Sequence, residues 1–125
     1  MGTVPESQKV KSYEDLVVWQ KSMDLVELIY KLTDSFPQSE TYGLSGQMRR
    51  AAISIPSNLA EGSRRGSRKD FRQFVFIAFG SASELETQLK IAKRLGYVSD
   101  EDFERSRALL GEVLSMLNAL ARKLS

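Results

Sequence analysis

The sequence predicts an all-α fold, an antiparallel up-and-down four-helix bundle with a kinked second helix, and three observations carry that prediction. Apolar residues recur with 3-4 spacing along four segments; one start signal recurs at three of them; no segment alternates with period two for long enough to form a strand. At 125 residues the chain suits a single domain with one core. Residues 1–12 read as a flexible N-terminal tail, because they carry Gly, Pro and Ser without an apolar period, and residues 13–125 read as the bundle.

The first helix is expected over 13–35. It opens at Ser12-Tyr13-Glu14-Asp15, where the serine hydroxyl can accept from a free backbone N–H and the acid three residues on favours the positive helix end. Leu16, Trp19, Met23, Val26 and Tyr30 form its apolar stripe, with a second stripe of Val18, Leu25, Ile29, Leu32 and Phe36 beside it. Ser35-Phe36-Pro37 ends it.

The second helix, over 44–62, sets Met48, Ala52, Ile55 and Leu59 on one face. Pro56 interrupts that run. It removes the hydrogen bond to the carbonyl of Ala52 and should bend the helix, with Ser54 placed to compensate by bonding back to a carbonyl. Gly62 and Gly66 bracket the helix end.

The third helix, over 68–95, opens at Ser67-Arg68-Lys69-Asp70 and carries Phe71, Val75, Ala78, Ala82, Leu85 and Leu89 at core spacing. Gly96 follows it where a left-handed cap is needed. The fourth, over 100–123, opens at Ser99-Asp100-Glu101-Asp102 and carries Phe103, Leu110, Val113, Leu117, Leu120 and Leu124.

One helix has more apolar surface than a small bundle uses. Along Phe71-Arg72-Gln73-Phe74-Val75-Phe76-Ile77-Ala78-Phe79 the apolar arc covers about 260° of the circumference, where a bundle helix needs roughly 100° to 140°. Burial against another copy of the chain accounts for the surplus, so Phe74, Phe76, Ile77 and Phe79 are candidate oligomer-interface residues. A tight bundle that hides both stripes is the bland alternative.

Composition removes whole classes of chemistry. There is no cysteine and no histidine, hence no disulfide, no thiol nucleophile, no zinc site of the usual kind and no imidazole base. No catalytic residue, cofactor site or metal site is assigned, and a non-enzymatic protein is expected. Apolar runs are broken by charges before reaching the length of a membrane span, and the N-terminus lacks the layout of a secretion signal, so a cytoplasmic protein with no membrane partner is expected.

Charge is modest overall, +2, but uneven. Between positions 49 and 72 seven basic residues face two acidic ones, which leaves the rest of the chain net negative. Arg64, Arg65, Arg68 and Lys69 lie in a turn containing Gly and Ser that leads into a helix N-terminus, a setting that favours an anion. With Arg49 they are the candidate nucleic-acid-binding residues. A solvated turn is the alternative for the four, and pairing of Arg49 or Arg50 with Glu61, Glu84 or Glu86 is the alternative for the helix arginines. Trp19 and Tyr13 could stack on bases, although a tryptophan at helical spacing beside Met23 is more often core. Glu84 and Glu86 diverge by about 200° on a helix and make no catalytic pair.

Several motifs together resemble a known family. Tyr13-Glu14-Asp15-Leu16-Val17-Val18-Trp19-Gln20, Phe36-Pro37, Glu40, Tyr42-Gly43-Leu44, Gln47 through Pro56, Asn58-Leu59-Ala60-Glu61-Gly62, Gly80 through Glu86 and Leu95-Gly96-Tyr97 resemble the four-helix bundle proteins encoded in intervening sequences of bacterial large-subunit rRNA genes. The likeness spans about residues 13 to 123. It implies a bacterial, cytoplasmic bundle assembled as a ring-like homopentamer. That family is in turn similar to the accessory variability determinant of diversity-generating retroelements, a basic pentameric barrel that binds nucleic acid and a reverse transcriptase. The expected partners are therefore the chain itself, RNA or DNA, and a nucleic-acid-processing protein. The rival expectation is a structural or protein-binding ring with no nucleic-acid role.

Overall fold

The structure is a computed structural model that describes residues 12–125; of the tail expected over 1–12, all but Ser12 lies outside the described residues. Among the described residues there are four α-helices and no strand: α1 (Val17–Thr33), α2 (Leu44–Ser63), α3 (Arg68–Arg94) and α4 (Asp100–Lys123). Two 3-10 turns, Tyr13–Asp15 and Gln38–Glu40, precede α1 and α2.

The three serine start signals all form. The hydroxyls of Ser67 and Ser99 accept from the backbone N–H of Asp70 and Asp102, each at 3.1 Å, and open α3 and α4. At Ser12 the reciprocal capping box is complete, but it closes the 3-10 turn rather than the first helix. The expected start at 13 is corrected to Val17. Leu16 turns extended, with ψ of 125°, and its side chain packs against the core instead of continuing the helix.

The ranking of the two stripes on α1 is also corrected. Val18, Leu25, Ile29 and Leu32 are the buried ones, while Leu16, Trp19 and Val26 only flank the core and Met23 and Tyr30 are exposed. Ser22 disguised the core stripe. It completes the helical spacing between Val18 and Leu25, and it is fully buried because its hydroxyl donates to the Trp19 carbonyl at 2.8 Å.

The core faces of the other helices match their expected patterns. Met48, Ala52, Ile55 and Leu59 of α2, Val75, Ala78, Ala82, Leu85 and Leu89 of α3, and Leu110, Val113 and Leu117 of α4 are buried together. Phe71, Phe103, Leu120 and Leu124 lie partly buried at the margin. Side-chain hydrogen bonds tie the helix ends to one another. Arg49 Nε at the start of α2 donates to Thr33 Oγ1 at the end of α1 at 2.8 Å, and Arg72 Nε near the start of α3 donates to the Ala121 carbonyl near the end of α4 at 2.9 Å.

Helices α2 and α3 pack together with small buried residues on both, Ala51 and Ala52 on α2 and Ala78 and Ala82 on α3, and they come into close contact at Gly62. A Cβ there would lie 2.5 Å from that of Phe74, so Gly62, which with Gly66 brackets the end of α2 at Ser63 as expected, is also a packing residue. Pro56 is buried within α2, and the helix continues through it. The expected back-bond from Ser54 is corrected: Ser57 Oγ donates to the Ile53 carbonyl and Asn58 Nδ2 to the Ser54 carbonyl, both at 2.8 Å. Ser54 Oγ instead accepts from Ser81 Oγ at 2.8 Å, which joins α2 to α3.

At the far end, Glu40 unites two motifs distant in sequence. Its Oε1 accepts from the Leu44 backbone N–H at 3.1 Å, and its Oε2 accepts from the Tyr97 hydroxyl at 3.0 Å. Tyr97 also packs its ring on Phe36, with centroids 5.2 Å apart. Gly96, at φ of +78°, makes the turn that delivers Tyr97 there, and the Tyr97 and Gly96 N–H groups close a Schellman motif on the carbonyls of Ala92 and Lys93.

Two stability outcomes follow from this packing. Gly62→Ala should lower stability by about 1 to 3 kcal/mol in urea melts despite the better helix propensity of alanine, because neither Cβ can swing away. Gly111→Ala, where nothing lies within 4 Å, should stabilise by about 0.5 to 1 kcal/mol. Equal effects at the two sites would contradict the close-approach argument.

The Tyr97 phenol is raised above its ordinary value, first by the hydrogen bond to Glu40, then by burial and by the Glu40 charge. A raised phenol contributes stability that is present below the ordinary value of 10.0 and lost as pH climbs through the folded value. The wild type should therefore lose stability more steeply above about pH 10 than Tyr97→Phe does, as read from paired urea melts across alkaline pH.

Candidate nucleic-acid interface

The basic turn between α2 and α3 is built by two helix ends. The last turn of α2 presents Glu61, Arg64 follows as its C-cap, Gly66 supplies a φ of +84°, and Ser67 caps the first turn of α3. Arg64, Arg65, Arg68 and Lys69 are consequently all exposed on a short, well-formed connection.

The cations differ in what holds them. Arg64 places its guanidinium 5.2 Å from the centre of the Tyr13 ring and makes no ion pair with a described residue. Arg65 pairs with Glu61 at 2.8 Å and lies 4.8 Å from the Phe74 ring centre. Arg68 donates to the Lys123 carbonyl at the end of α4. With Arg72 on the Ala121 carbonyl, it meets the negative end of that helix, an arrangement favourable to both partners. Lys69 is exposed, with no hydrogen bond or ion pair to a described residue. The turn thus sits beside the end of α4, which adds Arg122 and Lys123 to the same neighbourhood.

Arg49 lies elsewhere. Besides Thr33 it reaches the Tyr30 carbonyl at 3.5 Å and Asp34 at 3.7 Å, and its guanidinium covers the Tyr30 ring at 4.6 Å. It clamps the end of α1 and is not brought together with the turn. None of the glutamate partners expected for Arg49 or Arg50 is used; Glu61 is taken by Arg65. Arg50 instead lines a polar cleft between α2 and α3 with Gln47, Ser54, Ser81 and Glu84.

Of the candidate interface residues, Phe76 and Ile77 are 49% and 51% exposed, which is the surplus arc in physical form. Phe74 is half-buried over Gly62, and Phe79 packs at the margin of the core. Arg72 covers part of Phe76, at 4.7 Å from the ring centre.

A cleft that the pattern of charges did not reveal opens between the end of α3 and the start of α4. It has a volume of about 440 Å³ and an apolar floor of Ile91 and Phe103 beneath Lys90, Lys93 and Arg94. Lys93 is committed there to Asp100 at 2.6 Å, and this contact holds the Asp100 carboxyl below its usual range. The signal available in sequence was only the basic last turn of α3, which the helix dipole also explains. Among the described residues no cluster of acidic side chains could hold a metal ion, and no helix is long and apolar enough to cross a membrane.

Comparison with known proteins agrees with this architecture. The sequence model of the family described as 23S rRNA-intervening sequence protein matches residues 14–119. A crystal structure of a protein of unknown function from the S23 ribosomal protein family of Bacteroides thetaiotaomicron is similar over 85% of this chain and 96% of that one, with 26% identity and a TM-score of 0.76. No curated protein matches the chain.

Proposed function

The chain belongs to the 23S rRNA-intervening sequence protein family, and from that premise we propose that it works without catalysis, as a self-associating antiparallel bundle that binds nucleic-acid phosphates through its basic end. The observation that carries the reading is the convergence of Arg64, Arg65, Arg68 and Lys69 with Arg122 and Lys123 at one end of the helices, while among the described residues Lys69 has no acidic partner and Arg64 rests on an aromatic ring. With no acidic partner among the described residues, Lys69 and Arg64 can turn to a phosphate without breaking an ion pair to one of them. The hydrogen bonds of Arg68 and Arg72 to the end of α4, and of Arg49 to the end of α1, are what an antiparallel order of neighbouring helices would give.

Self-association is supported by Phe76 and Ile77, which leave an apolar face of α3 uncovered on a small protein. The family resemblance sets the expected number at five in a ring, in the cytoplasm of a bacterium. A ring repeats the basic end once per subunit, so weak phosphate contacts would act together. The rival reading, a protein scaffold without nucleic acid, is favoured by the internal commitments of Arg65 and Arg68.

One set of measurements separates them. Light scattering should show an oligomer that Phe76→Glu disrupts, because an unpaired charge would be buried in the contact. Anisotropy titrations with mixed-sequence RNA at several salt concentrations should show a steep salt dependence, which the combined change of Arg64, Arg65 and Lys69 to Ala flattens by about 0.7 to 0.9 in logarithmic slope per lost phosphate contact. Circular dichroism should remain that of the wild type. Absence of any salt-sensitive binding at low ionic strength would leave the scaffold reading in its place.

A further inference from the structure

The α1 stripe of Trp19, Met23 and Val26, which only flanks the core, forms one wall of a cleft. Trp19, Met23 and Val26 of α1 face Ile53 and Pro56 of α2 across it, and Tyr13 closes one end; the volume is about 310 Å³. Tyr13 meets Trp19 edge to face, with ring centres 5.3 Å apart at 65°. A second cleft shares Tyr13, Ser57 and Ala60 with the first and is bounded by Glu61, Arg64 and Arg65. An aromatic, apolar slot therefore runs into the basic turn, and Tyr13 stands at the junction.

Those two halves answer to the two halves of one ligand. A nucleotide offers a flat heteroaromatic base and, a few ångströms away, a phosphate; aromatic walls take the first and a guanidinium the second. Arg64 is suited to the second role because its present partner is the face of Tyr13 and not a carboxylate. A base seated in the slot beside Tyr13 would leave the guanidinium on that ring and let its edge reach the adjoining phosphate. Bases held in a duplex cannot enter, since their faces are covered by their neighbours. Rigid docking of the exposed α3 face of a second copy is disfavoured, because it would carry Arg72, which covers Phe76, toward Arg64 and Arg65.

We propose that the cleft between α1 and α2 takes an unpaired base of a single-stranded nucleic acid, with Tyr13 and Trp19 as its aromatic walls and Arg64 on the adjoining phosphate. The inference rests on the phosphate-binding reading of the basic end and sharpens it to a strand with exposed bases. It also gives a role to an apolar stripe that folding leaves at the margin of the core.

The test uses the fact that Trp19 is the only tryptophan in the chain. A single-stranded uridine oligonucleotide should quench or shift its emission and bind about tenfold more tightly than it binds Tyr13→Leu, a substitution that keeps an apolar side chain in the turn. Heparin, a polyanion without bases, should bind with the emission unchanged, and duplex RNA should behave like heparin. If the oligonucleotide binds in a salt-sensitive way but neither moves Trp19 emission nor responds to Tyr13→Leu, the base cleft is overturned while phosphate binding stands. If neither the oligonucleotide nor heparin binds, both fall together. Emission that shifts with protein concentration alone, and is then indifferent to the oligonucleotide, would assign the cleft to a second copy and overturn the proposal.

Discussion

The close approach of α2 to α3 is the constraint on which the rest of the molecule depends. At Gly62 there is no room for a Cβ, because that of Phe74 would lie 2.5 Å away. Ala51 and Ala52 of α2 and Ala78 and Ala82 of α3 are buried, and Ser54 and Ser81 join hydroxyls between the two helices. Small side chains give up apolar area but let the helices come close, while the large ones, Ile55, Leu59, Leu85 and Leu89, are buried in the interior. Pro56 fits this scheme. Its missing N–H would weaken an isolated helix, but here the ring is buried, and side-chain donors from Ser57 and Asn58 reinforce the carbonyls of Ile53 and Ser54 beside the Ala52 carbonyl it leaves without that bond.

Electrostatics at the helix ends then couples fold and candidate function. Arg68 and Arg72 meet the exposed carbonyls at the end of α4, and Arg49 meets the end of α1, so part of the basic excess is spent on closing the bundle. The same contacts assemble the remaining cations. By holding the start of α3 against the end of α4 they bring Lys69, Arg122 and Lys123 to the same end as Arg64. Structural and ligand-binding readings of this end are therefore not exclusive residue by residue. Arg68 has a clear internal duty, whereas Lys69 has no partner among the described residues.

The apolar surface divides in a similar way. Folding leaves one uncovered face on α3, at Phe76 and Ile77, and one aromatic slot between α1 and α2, at Tyr13 and Trp19. Both come from helices with two apolar stripes where the core needs one. The α3 face is open and carries Arg72, and it suits a broad contact. The slot is recessed and opens toward arginines, which suits a flat group bearing negative charge.

By itself the sequence determined the four helices and nearly all their ends. Hydroxyls at Ser67 and Ser99, the left-handed turn at Gly96 and the 3-4 spacing of α2, α3 and α4 act within a few residues, and local interactions can be read from local text. The surplus arc on α3 was legible for the same reason. What only the tertiary structure decided is every choice between locally equivalent options. Two apolar stripes on α1 differ by one residue step, and only contact with the other helices made Val18 and Leu25 core, set Trp19 at its margin and left Met23 exposed. Gly62 reads only as one of two glycines bracketing a helix end until Phe74 is seen to pack on it, and Arg49 reads as one of a basic pair until Thr33 is seen to accept from it. Tyr13 and Arg64 are separated by fifty residues of chain, so their meeting at one ring required α1 and α2 to be packed together first. Periodicity specifies which faces can be buried; the shape and charge of the neighbouring helices select the one that is.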